Sequence, residues 1–272
     1  MDCPPAAEMA IRKFLKHAAA AFGYSLTEQS ELREVLSLLE RLQPQDCARP
    51  LIRIGGQGDG GYLVPDDLAG IRYCFSPGVS KTADFEQHLS LLNIQSFLAD
   101  YSVSGPPTQH PEFVFDKRHL GVTDREPFIT LESWKRKYLP EYRDDLLLQM
   151  DIEGAEYEVM LSTPLELLRC FRIMVIECHG LERIFEPFAL RLYRACFDKL
   201  LSEFMVVHAH PNNCSGSVRQ GDLEIPSVIE FTFYNRARIT RHAPQCLFPH
   251  PLDTDNCSEL PPLDLPKVWR RA

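Results

Sequence analysis

From residue 71 to residue 235, short apolar segments alternate with segments of helical periodicity, and this pattern restricts the fold more than any other feature. The apolar segments are residues 71–78, 94–102, 112–122, 145–154, 172–180, 204–210 and 227–235. The helical patterns between them cover residues 82–92, 130–139, 155–161 and 187–203. Continuous apolar strands separated by amphipathic helices predict an α/β fold: a mainly parallel, seven-stranded sheet with helices on both faces.

The segments on either side of this alternation have a different character. Residues 8–22 and 26–42 carry apolar side chains at helical spacing, which predicts a helical N-terminal extension over residues 1–48. The alternating domain then covers residues 49–272, and its Pro-rich tail from residue 244 has no regular periodicity. We expect the tail to be ordered coil on the surface. The N-terminal helices are expected to cover the core, cap a substrate site or form a homodimer.

A glycine-rich segment precedes the first of the seven strands. Five glycines occupy the seven positions from Gly55 to Gly61, and apolar runs flank them. This arrangement predicts two strands joined by a turn. Because glycine lets a ligand approach the backbone closely, the turn is either a tight hairpin or a loop over a ligand.

Charge and cysteine content exclude several classes of protein. The 272 residues carry a net charge of −9, and an acidic surface is unsuited to phosphate contacts, so we expect no nucleic-acid partner. Nine cysteines without a CxxC pair favour free thiols in a reducing compartment. Charged residues interrupt the N-terminal apolar stretch, and no segment approaches the roughly 18 apolar residues of a membrane span. We therefore expect a cytoplasmic protein without a membrane partner.

Polar residues follow the predicted strands at their carboxyl ends, where ligands bind in an open parallel sheet. They are Asp100 after the second strand, Asp151 and Glu153 after the fourth, Glu177 and His179 at the fifth, and His208 and His210 at the sixth. Acids and histidines at four strand ends on one edge are unusual for a merely solvated surface. The sequence therefore predicts a single polar site there.

Two of these positions indicate particular chemistry. Asp100 lies about 20 residues after the turn at Gly78, where an acid accepts hydrogen bonds from ribose hydroxyls. That turn, SPGVS, lacks a full GxGxxG pattern, so a nucleoside cofactor without pyrophosphate fits better than a dinucleotide. Asp151 directly follows LLLQM, and a half-buried carboxylate needs a cation or a hydrogen-bond donor. Beside Glu177 and His179 it could bind Mg, Mn, Fe or Zn, or join a metal-free network with a histidine as general base.

The motif DIEGAE (151–156) after an apolar strand resembles the signature of FkbM-type S-adenosylmethionine-dependent methyltransferases. Further segments are similar to a branch of that family: RIGGQGDGGYLVP (53–65), SPGVSKTADFE (76–86), IECHGL (176–181), HPNN (210–213) and FPHPLD (248–253). The resemblance spans about residues 50–255. It implies the class I methyltransferase (Rossmann-like) fold and methyl transfer from S-adenosyl-L-methionine, typically to a hydroxyl oxygen. The usual GxGxG cofactor turn is reduced here to Pro77 and Gly78.

The resemblance implies that Gly78 is the close-approach glycine of the cofactor turn, that Asp100 is the ribose acid and that Asp151 is a catalytic or metal-binding acid. Together with the polar residues at the strand ends, these positions give the full set of expected site residues. The expected cofactor contacts are Gly61, Tyr62, Gly78, Val79, Asp100, Tyr101 and Asp151. The expected catalytic residues are Asp151, His179 and His208, and the expected metal ligands are Asp151, Glu177, His179 and His210. The acceptor would be a hydroxyl of a small molecule or sugar. Two alternatives stay open: a metal-dependent hydrolase that uses the same acids and histidines, and a methyltransferase-like protein without catalytic activity.

Overall fold

Seven strands form the central sheet of the computed structural model, which describes residues 6–23, 26, 28–245 and 247–270. With strands numbered along the chain, their order across the sheet is β6 (Phe113–Asp116), β5 (Gln95–Ala99), β4 (Tyr73–Pro77), β9 (Leu146–Met150), β10 (Phe171–His179), β14 (Val228–Asn235) and β11 (Phe204–Pro211). Neighbours from β6 to β10 are parallel, whereas β14 runs antiparallel to both β10 and β11. The predicted seven-stranded, mainly parallel sheet is confirmed.

The remaining strands form two-stranded pairs around this sheet. They are β1 (Gln45–Asp46) with β15 (Ala243–Pro244), β2 (Leu51–Ile54) with β3 (Tyr62–Pro65), β7 (His119–Leu120) with β8 (Phe128–Ile129), and β12 (Ser217–Gln220) with β13 (Leu223–Pro226). The glycine-rich segment is the turn between β2 and β3, which pair antiparallel, so the predicted arrangement of two strands joined by a turn is confirmed.

The helices lie between the strands in the predicted order. They are α1 (Ala6–Ala21), α2 (Leu32–Arg41), α3 (Asp84–Leu91), α4 (Leu131–Tyr138), α5 (Glu156–Ser162), α6 (Leu165–Leu168) and α7 (Pro187–Glu203). The expectation that the second helix begins at residue 26 is wrong. Residue Glu31 is extended, and the amide of Ser30 donates to the carbonyl of Phe185 at 2.7 Å, which holds this segment out of the helix.

Each face of the sheet has its own apolar core, because successive strand residues point to opposite faces. On one face, Leu148 and Ile176 pack with Trp134 of α4 and Phe197 of α7. On the other face, the neighbouring strand residues pack against the β2–β3 hairpin and against Phe85 of α3. Helices on both faces are therefore confirmed. The strands read as continuous apolar runs because both of their faces are buried.

The two ends of the chain pack differently. Helix α2 buries Val35, Leu38 and Leu39 completely in the first core, and the tail buries Trp269 completely in the same core. By contrast, α1 exposes most of its large apolar side chains, including 71% of Phe14. Within the described part of the chain, no helix is both long and apolar enough to cross a bilayer.

Candidate functional site

The carboxyl ends of β9 and β10 bring Asp151, Glu177 and His179 together. Because β9 and β10 are parallel and Met150 is level with Ile176, the residues that follow emerge at the same edge of the sheet. One ligating atom from each of the three side chains lies within 4.8 Å of the others. The Nε2 atom of His179 is 3.7 Å from Asp151 Oδ1 and 3.9 Å from Glu177 Oε1. We call these three residues the Asp–Glu–His group.

Burial raises the pKa values of the two carboxyl groups in the Asp–Glu–His group. Burial and the charge of Glu177 raise the pKa of Asp151 to about 8. Burial and the charge of Glu230 raise the pKa of Glu177 to about 8. Asp151 Oδ1 and Glu177 Oε2 are buried and accept no hydrogen bond from the described residues. Two carboxylates with unpartnered oxygens in a low-dielectric site are stabilised by a proton or by a cation.

Glu156 fixes the orientation of the histidine in this group. Its Oε1 atom lies 3.1 Å from each of three nitrogens: the amides of Ile152 and Gly154 and the Nδ1 atom of His179. A carboxylate only accepts, so we assign the Nδ1 proton to this bond, which turns Nε2 toward Asp151. Burial lowers the pKa of His179, but the hydrogen bond and the charge of Glu156 outweigh it, and the pKa rises to about 9. Glu156 belongs to the DIEGAE motif but is not among the site residues expected from the sequence.

Two cavities meet at Asp151, one residue of the Asp–Glu–His group. The Asp100 cavity has a volume of about 360 Å³, and its lining includes Ala99, Asp100, Ser102, His119, Leu120, Phe128 and Ile152. The Tyr62 cavity has a volume of about 220 Å³, and its lining includes Asp59, Tyr62, Val79, Lys81, Phe85, Glu86 and Gln149. Both cavities are also lined by Gly78, Ser80, Asp151 and Glu153. This arrangement can hold one part of a ligand, or one of two ligands, in each cavity, with Gly78 and Asp151 between them.

Gly78 and Asp100 lie at the ends of neighbouring strands. Gly78 has a φ of +97°, and a Cβ atom there would lie 1.5 Å from the carbonyl oxygen of Asp151, so only glycine fits between the cavities. The buried carboxylate of Asp100 accepts hydrogen bonds at Oδ1 from the amide and the hydroxyl of Ser102, both at 2.7 Å. This leaves Oδ2 for a ligand.

Two expected cofactor contacts do not line either cavity. Tyr101 is 46% exposed, and its ring packs against that of His119 at 5.3 Å. Gly61 packs against the backbone of Gly56 and the guanidinium group of Arg53 inside the hairpin. Neither residue is among those that line the cavities. In the sequence both are adjacent to a cavity residue, and their contact with a cofactor stays a prediction.

The structure holds His208 and His210 apart from the Asp–Glu–His group. His208 Nε2 is 3.0 Å from Asp253 Oδ1, and His210 Nδ1 is 3.8 Å from Asp253 Oδ2. The antiparallel strand β14 separates their strand from that of His179, and each strand adds about 4.8 Å. Burial alone would raise the pKa of Asp253, but the two neighbouring imidazoles hold it below its usual value. These imidazoles bind the C-terminal tail.

A polar chain in the Tyr62 cavity was missed from the sequence. Gln149 Nε2 donates to the hydroxyl of Tyr62 at 3.3 Å, and its Oε1 accepts from the hydroxyl of Ser76 at 2.7 Å. The Ser76 hydroxyl also contacts the buried carboxyl of Glu86. Burial raises the pKa of Glu86, so a protonated Glu86 can donate to Ser76. The sequence signal that could have indicated this polar chain is Glu86, an acid next to Phe85 on the face of α3 that points inward.

Comparison with known proteins adds little to this geometry. No family model matches the chain, and no curated protein matches it. Among solved structures, it is similar to a candidate DNA modification methyltransferase encoded within an E. coli prophage, with 11% identity and a TM-score of 0.37 over 61% of this chain and 47% of that chain. It is also similar to a variant of the 16S rRNA (adenine(1408)-N(1))-methyltransferase from Catenulisporales acidiphilia, with 11% identity and a TM-score of 0.29 over 68% of this chain and 97% of that chain.

Similarities this weak carry no argument about the reaction, the acceptor or the site residues. The strand order and strand directions of the chain's own sheet are those of the class I, Rossmann-like methyltransferase fold. The fold class expected from the sequence is thereby confirmed.

Proposed function

We propose that this chain is an S-adenosylmethionine-dependent methyltransferase that methylates a hydroxyl of a small molecule or sugar. The observation that carries the proposal is the junction of the two cavities. The Asp100 cavity contains, at the end of β5, an acid at a position suited to accept hydrogen bonds from ribose hydroxyls. This cavity meets the Tyr62 cavity at Gly78 and Asp151. A nucleoside cofactor in the first cavity would therefore direct its reactive end toward the Asp–Glu–His group.

The lining of the Asp100 cavity fits the nucleoside part of S-adenosylmethionine. The free Oδ2 atom of Asp100 can accept from ribose hydroxyls, and Leu120 and Phe128 supply apolar wall for the base. At Gly78, which lines this cavity, the missing side chain lets the backbone of Asp151 approach closely. When bound, the cofactor supplies an electrophilic methyl group, so the protein's task is to position the acceptor and to accept its proton.

The Asp–Glu–His group fits a divalent cation as part of this proposal. Two carboxylates and an imidazole are a donor set that suits Mg, Mn, Fe or Zn, and the unpartnered oxygens of Asp151 and Glu177 are a reason for a cation to bind. A bound cation would lower the pKa of an acceptor hydroxyl. Glu156 would serve as the outer carboxylate that orients the ligating histidine.

Asp151 has two roles in this scheme, because it lines both cavities and belongs to the Asp–Glu–His group. It would bind the acceptor oxygen, or a cation that polarises that oxygen, at the junction of the two cavities. His179 is the second catalytic residue: its Nε2 atom faces Asp151, and without a cation its neutral form, which becomes more populated as the pH approaches its pKa of about 9, would accept the hydroxyl proton. Removal of bound metal with a chelator separates these two versions, because only the metal-assisted one loses activity.

The test is methyl transfer from S-adenosylmethionine to fractionated hydroxylated metabolites, followed as release of S-adenosylhomocysteine. Asp151→Asn should lower the rate at least about 100-fold while S-adenosylhomocysteine still binds. Glu158→Gln, an exposed change on the same helix as Glu156, is the matched control and should leave the rate unchanged. Full activity of Asp151→Asn would contradict the assigned role.

The two alternatives predict different outcomes in the same experiment. A metal-dependent hydrolase could use the Asp–Glu–His group, but it would leave Asp100 and its cavity without a purpose, and it would not bind S-adenosylhomocysteine. A methyltransferase-like protein without activity would bind the nucleoside but release no product with any acceptor fraction.

A further inference from the structure

Cys214 and Cys257 are neighbours at the point where the C-terminal tail crosses the loop after β11. The described part of the chain contains seven cysteines, all with free thiols, whereas Cys3 and Cys246 lie outside the described residues. Of those seven, four are buried, Cys170 and Cys257 are half-buried, and Cys214 is exposed. The proposed methyl transfer uses none of them.

Hydrogen bonds of two asparagines hold this pair in place. The side chain of Asn213 binds the backbone of Cys257 at both ends: Oδ1 accepts from the amide at 2.9 Å, and Nδ2 donates to the carbonyl at 2.8 Å. The amide of Cys214 donates to Asn212 Oδ1 at 2.9 Å. The hydrogen bonds of Asn213 place the backbone of Cys257 beside the residue that precedes Cys214. The tail and the loop thus bring the two cysteines into adjacent segments, and a disulfide requires such proximity.

The same residues connect the cysteine pair to the candidate site. Asn212 Nδ2 donates to Glu177 Oε1 at 2.8 Å, and Asn256, next to Cys257, donates to the buried carboxylate of Glu230. A few residues earlier, Asp253 binds His208. The tail therefore lies across the carboxyl ends of β10 and β11 and the amino end of β14, beside the Asp–Glu–His group.

We propose that Cys214 and Cys257 are an oxidation site, at which an intrachain disulfide locks the C-terminal tail across the strand ends. The oxidant belongs to the class of small disulfides. The Cys214 thiolate attacks one sulfur of oxidised glutathione, which forms a mixed disulfide and releases one glutathione thiol. The Cys257 thiolate then attacks the Cys214 sulfur and releases the second glutathione thiol. Two protein thiols are oxidised, one disulfide is reduced, and the thiol protons pass to the two released glutathiones.

The first test is chemical and uses the full chain with oxidised glutathione as the probe. Peptide mapping without reductant should find the Cys214–Cys257 link, and Cys214→Ser or Cys257→Ser should abolish it. Cys170→Ser is the control, because this half-buried cysteine is elsewhere in the fold, and the link should persist. Burial raises the pKa of the Cys214 thiol, so the link should form faster as the pH rises. Mixed disulfides or links between chains without the Cys214–Cys257 link would overturn the proposal.

The second test asks whether the link locks the tail. Oxidation should raise the melting temperature by roughly 5 °C and slow protease cleavage after residue 244. It should leave the affinity for S-adenosylhomocysteine unchanged, because no tail residue lines the Asp100 cavity. A linked chain with the melting temperature and cleavage rate of the reduced chain would overturn the locking. Formation of the link does not depend on the proposed methyl transfer, so either proposal can fail without the other.

Discussion

Gly78→Ala is the substitution for which the structure predicts the largest effect at the turn after β4. The added methyl group would lie 1.5 Å from the carbonyl oxygen of Asp151, and the φ of +97° is one that side-chain-bearing residues rarely adopt. The neighbouring atom is backbone, so it cannot move away as a flexible side chain would. Relief requires the end of β4 or of β9 to shift, which would distort the junction of the two cavities.

The expected magnitude follows from these two causes. The left-handed backbone conformation costs about 1–2 kcal/mol for a residue with a Cβ atom. Relief of the overlap by a backbone shift adds about 1–3 kcal/mol. We therefore expect Gly78→Ala to lower the free energy of unfolding by about 2–5 kcal/mol and to weaken S-adenosylhomocysteine binding at least about tenfold, equivalent to about 1.4 kcal/mol.

Urea denaturation and calorimetric titration with S-adenosylhomocysteine measure the two effects. Gly154→Ala is the matched control, because Gly154 has a similar φ of +106° but nothing within 4 Å of the position of a Cβ atom. It should show only the conformational cost of about 1–2 kcal/mol. If Gly78→Ala were no less stable than Gly154→Ala and bound the ligand as the wild type does, the reasoning about the close approach would be refuted.

Three further predictions test the packing, the metal site and the pH dependence. Trp269→Ala should lower the free energy of unfolding in urea by about 3–5 kcal/mol, because this tail residue is fully buried; a loss below about 1 kcal/mol would mean that the tail is not anchored. Glu156→Gln should lower Mn²⁺ affinity by about 10- to 100-fold in calorimetry, whereas Glu158→Gln should not; equal affinities would exclude the orienting role. Because the pKa of Glu177 rises from 4.5 to about 8 on folding, the metal-free native state binds a proton that the unfolded state releases, so this group lowers stability as the pH rises from about 4.5 to 8. Glu177→Gln should therefore lose less unfolding free energy between pH 5 and pH 8 than the wild type, and an unchanged loss would contradict the assignment.

The sheet could be predicted from the sequence because both of its faces are buried. Residues 145–154 and 172–180 read as continuous apolar runs, and only a strand covered on both sides requires that pattern. The convergence of Asp151, Glu177 and His179 could be predicted as well. These residues follow two parallel strands, and the carboxyl ends of parallel strands meet at one edge.

The positions of His208 and His210 could not be predicted in the same way. Strand β14, the last of the seven along the chain, lies between the strands that carry His179 and His208. This pairing depends on contacts between residues that are far apart in the sequence. The partner of both histidines is Asp253, in a tail segment without any periodic pattern. The role of Glu156 also became visible only in three dimensions, because the turn at Glu153 and Gly154 brings its carboxylate back to the preceding amides and to His179.

A crystal structure of the chain with S-adenosylhomocysteine tests the central claim most directly. We predict the nucleoside in the Asp100 cavity, with a ribose hydroxyl within hydrogen-bonding distance of the Asp100 carboxylate and the sulfur atom on the side of Gly78 that faces Asp151. A ligand bound elsewhere on the molecule, or an Asp100 cavity that stays without ligand at saturating concentration, would contradict the account.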